Sequence, residues 1–273
     1  MAASFVVVPQ WQGSGSTRAM RLVDGAEAIR GDLPNASTVV VEVPLEAGES
    51  QGSGVSRFTS IQLVRDRLAR ALAEIDGPAI TIGGDCSVEL AAVAHVADTS
   101  EVALIWFDAH PDLNTPENSP SSAFNGMILR TLLGDGAPGL VPARPLPANR
   151  VILAGTRAFD DAEYAYVNEA GLAMFEGDGF TTKELLATVK ATGAASIYIH
   201  VDVDVLDPSE FEGTGYPEPF GLSVATLVAH IKALKSAFPL AGAGITEFEP
   251  SSPEHAASDM PTILRIIGAL TAK

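Results

Sequence analysis

Along the chain, short runs of β-branched and aliphatic residues alternate with longer stretches in which apolar positions recur every three or four residues. The short runs fall at 5–8, 39–43, 79–82, 102–107, 151–154, 172–174, 196–201 and 240–245, and each predicts a strand. The periodic stretches at 58–75, 86–96, 125–133, 161–169, 182–192, 223–236 and 253–269 predict helices. Continuous apolar runs, as opposed to alternating ones, mark strands buried on both faces, and the intervening helices supply the crossovers that parallel pairing needs. The expectation is an α/β fold of three layers, with a central, mostly parallel eight-stranded sheet and helices on both faces. No repeat, low-complexity tract or linker divides residues 1–273, so a single domain is expected. EAGESQGSGVS at 46–56 and DLNTPENSPSSA at 112–123, rich in Gly, Ser, Asn and Pro, are predicted loops. Ligands bind sheets of this kind at the carboxyl ends of the strands, so the residues just after each strand are where chemistry is sought.

A hydrophobic share of 47% excludes a disordered chain. Seventeen Lys and Arg against 34 Asp and Glu give a net charge of −17. That balance repels phosphate backbones and anionic lipid, which argues against nucleic acid and membrane as partners, and it favours cations. No apolar run is long enough to span a bilayer, and the opening MAASFVVVPQ lacks the basic segment and long apolar stretch of a secretory leader; a cytoplasmic protein is expected. The single cysteine cannot form an intrachain disulfide, which fits a reducing compartment.

The 102–107 run is followed by Asp108-Ala109-His110-Pro111-Asp112, and the 196–201 run by Asp202-Val203-Asp204-Val205-Leu206-Asp207-Pro208. At an extended strand end, residues i and i+2 point the same way, so Asp108 with His110, and Asp202 with Asp204, each offer two ligands to one side. Either motif alone reads as a turn former. Both together, each behind a buried strand, gather more negative charge than an interior holds unpaired, and a pair of divalent cations resolves the conflict. Oxygen-rich ligation with one imidazole suits a harder ion such as Mn²⁺. Two such ions sharing carboxylates generate hydroxide near neutral pH, able to attack an electrophilic carbon.

GGDCS at 83–87 places Cys86 at the tip of a turn after a strand, where it reads as a nucleophile, a metal ligand or a buried filler. A nucleophilic Cys needs a base, usually His. His95, His230 and His255 fall in helical stretches and His200 in a strand; surface or satisfied structural roles are expected for all four, and His110 is taken by the cations.

GGDCS, DAHPD at 108–112, NGM at 125–127, VDVDVLDP at 201–208 and the late Glu247 resemble, in this order, the motif series of the arginase and agmatinase ureohydrolase family, over about residues 79–250. The resemblance implies a parallel eight-stranded sheet between helical layers, and hydrolysis of guanidino groups at a centre of two Mn²⁺ ions. It implies that Asp108 and Asp202 bridge the ions, that His110 and Asp204 complete the second metal site, and that Asp112 joins the first. Family members carry His where this chain has Cys86, so Cys86 is implied to sit at the first metal as a substitute. Glu247 is implied to pair with the guanidinium, Asn114 and Ser121 to hold an α-carboxylate, and Asp160 and Glu163 to meet an α-amino group. The implied partner is a small guanidino amino acid. Ala123 and Ala158 stand where members carry a further Asn and a further acid. Homo-oligomers occur in the family, and the resemblance leaves that option open.

A second departure is Asn125, which replaces the family's proton-shuttling His. An amide cannot act as a general acid, but it donates and accepts hydrogen bonds and so can orient substrate or water. Arginine's guanidinium has a pKa of about 12.5 to 13.8, and losing a shuttle residue costs about 10²- to 10⁴-fold in rate. An N-hydroxylated guanidine is less basic, because the attached oxygen withdraws electrons, and depends less on the missing acid. The two substitutions are similar to the pattern of members that hydrolyse N-ω-hydroxy-L-arginine to L-ornithine and hydroxyurea in D-cycloserine biosynthesis. That reaction is the expectation. An ordinary arginase or other guanidino-acid hydrolase is the nearest alternative; a non-catalytic homologue that binds metal or amino acid and regulates a partner is the alternative of another class.

Overall fold

A computed structural model of the protein describes residues 3–272. The eight expected runs all become strands: β1 (Ser4–Val8), β2 (Thr38–Val40), β3 (Ala79–Gly83), β4 (Val102–Phe107), β5 (Val151–Thr156), β6 (Ala173–Glu176), β7 (Ser196–Asp202) and β8 (Leu240–Thr246). They form one sheet in the order β2-β1-β3-β8-β7-β4-β5-β6. Every neighbouring pair is parallel, which sharpens the expected "mostly parallel". The central strands are apolar throughout because both faces are covered.

The helices are α1 (Arg21–Gly31), α2 (Phe58–Ala73), α3 (Glu89–Thr99), α4 (Ile128–Leu132), α5 (Asp161–Ala170), α6 (Thr182–Ala191), α7 (Val224–Ala237) and α8 (Pro253–Thr271). Residues of α1, α6, α7 and α8 share one apolar core with the sheet, and those of α2 to α5 share the other, giving the three layers. The helix α1 has no counterpart among the expected elements. Gly25 and several charges blur its apolar period, and Met20 offers no capping side chain. Packing decides it: a Cβ at residue 25 would lie 1.9 Å from the Phe248 carbonyl oxygen, so Gly25 lets α1 close onto the segment that carries Glu247. Among the described residues, no helix is long and apolar enough to cross a membrane.

Four consecutive neighbours, β3, β8, β7 and β4, occupy the middle of the sheet. Their carboxyl ends lead into Cys86, Glu247, Asp202 and Asp108, respectively. Parallel pairing brings these four ends to the same edge, which turns motifs scattered over more than half the chain into one site.

Candidate metal centre and substrate cavity

After β3, the Asp85 carboxylate accepts from the backbone N–H of Ser87 at 2.8 Å and of Gly13 at 2.9 Å. This caps the short 3-10 turn Cys86–Val88 and presents Cys86 at its first position. After β4, Asp108 accepts from the His110 N–H at 2.6 Å and from the Trp106 indole at 3.1 Å. After β7, Asp202 accepts from the Asp204 N–H at 2.8 Å, and Asp204 accepts from the Ala109 N–H at 3.0 Å. Each strand-end carboxylate is thus aimed by a backbone donor to one oxygen, while its other oxygen meets a side chain: the Trp106 indole at Asp108, the Cys86 thiol at Asp202 and the His110 ring at Asp204. Asp112 and Glu247 adopt left-handed backbones, φ 54° and 62°. Such φ values are uncommon for residues other than Gly and persist where surrounding structure enforces them.

Three tight groups of ligand atoms result: Asp108 with His110 and Asp204, Cys86 with Asp202 and Glu247, and Cys86 with Asp108 and His200. Asp108 belongs to two of them, the position a bridging carboxylate needs. Asp112 lies outside these groups, yet it is buried and its Oδ2 has no hydrogen-bond partner; Glu247 Oε2 is likewise unpartnered. Among the described residues that line the cavity there is no Lys or Arg. Arg157, a guanidinium behind the site, spends its donors on the backbone carbonyls of Asp204, Gly155 and Glu218. Five buried carboxylates, two of them with an oxygen that no hydrogen bond satisfies, and no Lys or Arg in the lining suit a pair of divalent ions.

Burial, then the fields of neighbouring acids, pushes Asp112 and Asp202 well above the ordinary carboxylate range, and Glu247 likewise, with Asp85 the leading neighbour. Asp108 moves the other way: burial raises it, but the two imidazoles beside it, His110 and His200, outweigh that and hold it low. Burial followed by the Asp202 charge pushes the Cys86 thiol up, so a free thiolate is disfavoured there unless a cation stabilises it.

A cavity of about 560 Å³ opens onto this centre. Its walls include Asn114, Ser121, Asp160 and Glu163, alongside Asn125, Tyr216 and Gly15. Asn114 donates to Asp160 at 2.8 Å, while its own Oδ1 has no partner. Ser121 is exposed at the rim. Glu163 accepts from the Leu113 and Asp160 N–H groups, both at 2.9 Å, and so also ties the loop after Asp112 to the start of α5. Asn125 donates to Glu247 Oε1 at 3.3 Å, the oxygen that also takes the Cys86 N–H at 3.1 Å. A larger groove of about 900 Å³ between α1 and α8 is lined by charges of both signs without converging acids and histidines, and the chemistry lies in the smaller cavity.

Three features were not read from the sequence. His200, for which the sequence predicts a surface or satisfied structural role, is fully buried and hydrogen-bonded, as the second of these requires, but it stands beside the ligand groups, its ring stacked on Trp106 at 3.5 Å between centroids. Glu89 is fully buried behind it. Tyr216 lines the mouth, edge-on to His110. The spacing Cys86-x-x-Glu89 across the start of a helix was the one available signal, since it puts both on one face.

Fold and centre together define a class: a three-layer α/β protein with a carboxylate-rich cation centre at the carboxyl ends of a parallel sheet. The sequence profile of the arginase family matches residues 24–267, and the chain belongs to that family. Its homologues are metal-dependent amidinohydrolases acting on C–N bonds. The chain is 28% identical over 225 residues to the arginase of Entamoeba histolytica, covering 78% of this chain and 76% of that one. It is 27% identical over 253 residues to the arginase of Bacillus caldovelox, covering 87% and 84%. Its fold matches the crystal structure of the Entamoeba histolytica arginase in complex with L-ornithine at a TM-score of 0.88 and 24% identity, over 99% of this chain and 98% of that one.

Proposed function

We propose that this protein hydrolyses N-ω-hydroxy-L-arginine to L-ornithine and hydroxyurea at a centre of two Mn²⁺ ions, a reaction that serves D-cycloserine biosynthesis. Asp108 and Asp202 would hold both ions, with Cys86 and Asp112 completing one site and His110 and Asp204 the other. When bound, the ions supply an acidified water and neutralise the clustered carboxylates. Glu247 takes the guanidino group through Oε2, its free oxygen, while Oε1 is held in place by Cys86 and Asn125. The cavity wall formed by Asn114, Ser121, Asp160 and Glu163 receives the amino-acid end and sets the distance to the centre.

Asn125 carries the choice of substrate. Its amide holds Glu247 and has no proton to deliver, so the leaving amine receives no general acid from this position. The less basic hydroxyguanidine tolerates that absence better than arginine does. Ornithine release by manganese-loaded protein, compared for the two substrates at equal concentration, tests this. A preference for the hydroxylated substrate of at least about tenfold, some 1.4 kcal/mol, is expected. Equal or faster turnover of L-arginine would return the protein to ordinary arginase activity, a reading equally consistent with its similarity to arginases.

A further inference from the structure

Position 86 offers a thiol, and an imidazole stands directly behind it. His200 shares a face of β7 with Tyr198 and Asp202, two residues to either side, so all three project from the sheet in the same direction. Its Nδ1–H donates to Glu89 Oε1 at 3.1 Å, and the Tyr198 hydroxyl donates to Glu89 Oε2 at 2.5 Å. A carboxylate that only accepts leaves the hydrogen on Nδ1 and turns Nε2 toward the centre. Nε2 lies 3.6 Å from Asp108 Oδ2 and 3.9 Å from Cys86 Sγ, too far from the carboxylate for a close hydrogen bond. Atoms bound to one ion through bonds of about 2.0 to 2.3 Å are themselves roughly 3 to 4.5 Å apart. Both separations from Nε2 have that spacing, and all three ligand atoms lie within 4.8 Å of one another.

The surroundings hold the ring in one orientation. Trp106 stacks on it, 19° from parallel, and donates its own N–H to Asp108. Gly244 is the cross-strand partner of His200 in β8, and a Cβ there would lie 1.5 Å from Glu89 Oε1, so the glycine makes room for the carboxylate. A carboxylate that orients a buried imidazole toward clustered ligands is the arrangement found around metal-bound histidines.

We propose that His200 is a ligand of the first metal, supplying from β7 the imidazole that position 86 lacks, with Glu89 as its positioning residue. The inference rests on the two-ion centre proposed above and adds a ligand to it. The first site then combines thiolate, imidazole and carboxylate, while the second keeps one imidazole and carboxylates.

X-ray absorption of the manganese-loaded wild-type protein counts imidazoles over the two ions without any substitution. Two are expected, His110 and His200; a count of one overturns the inference while leaving the two-ion centre intact. A protein that takes up no manganese overturns both. Titration with Mn²⁺ followed by metal analysis provides the second test. His200→Asn is expected to weaken the first ion by about 10- to 100-fold and Glu89→Gln by about tenfold, with the second ion retained and one imidazole still counted. Retention of the second ion reports that the variant has folded. Two ions bound by folded His200→Asn with wild-type affinity would overturn the assignment.

Discussion

The two ends of the centre share Asp108 but are built differently. At one end, grouped with Asp108, His110 and Asp204 line the cavity, and the His110 side chain is 31% exposed. At the other, Cys86 and His200 are 1% and 0% exposed: Cys86 reaches the cavity wall, and His200 lies behind it, stacked on Trp106 and backed by Glu89 and Tyr198. The outer end is assembled from residues two apart in two strand-end motifs. The inner end draws on the turn after β3, the start of α3, the middle of β7 and a space left by β8. The open end is thus defined by local spacing, whereas the sealed end exists only through packing, and each responds to different perturbations.

Asp108→Asn removes the carboxylate common to both ends and is expected to lower kcat/KM by at least about 10³-fold, about 4 kcal/mol. Ornithine release measures this, and metal analysis of the same variant should show both ions weakened. If one ion stays at full affinity, the ends do not share Asp108 and the comparison fails. Asn125→His acts from the cavity wall, beside Glu247. Restoring a general acid should raise L-arginine turnover by about 10²-fold while changing turnover of the hydroxylated substrate by less than about threefold.

Gly244→Ala acts on the sealed end alone. The added Cβ meets Glu89 Oε1, and displacing a packed, hydrogen-bonded carboxylate should cost about 2 kcal/mol of stability, some 30-fold in the folding equilibrium. Urea unfolding reads that loss. The open end should keep its ion in this variant, and loss of both would show that the two ends are one structural unit.

The smallest expected effect concerns Glu163, whose carboxyl burial pushes up to about 7, against hydrogen bonds from Asp160 and Leu113 that lower it. Binding an α-amino group needs the ionised form, so KM should fall by up to about tenfold between about pH 6 and pH 8, and Glu163→Gln should flatten that profile. Stability runs with the opposite sign. Because the folded value lies above the ordinary 4.5, the neutral group favours the fold below about pH 4.5, and that contribution is lost as pH rises through about 7.

The strands were legible because parallel, doubly covered strands are written as unbroken apolar runs, and β4 and β7 are followed at once by their acids. Helix α1 was not legible, because Gly25 breaks the pattern and the reason for it, the Phe248 carbonyl, lies far along the chain. His200 looked like one more polar residue in a strand. Its partners Glu89 and Asp108 come from other elements, and no spacing rule links them to it.

By itself the sequence determined the layer architecture, the run of strands and the two acidic strand ends, because those depend on neighbours a few residues apart. Only the tertiary structure decided which four strand ends meet and that Glu89, Tyr198 and His200 form one buried chain beneath Cys86. Those relations arise from strand order and close packing, where residues more than a hundred positions apart come within hydrogen-bonding reach.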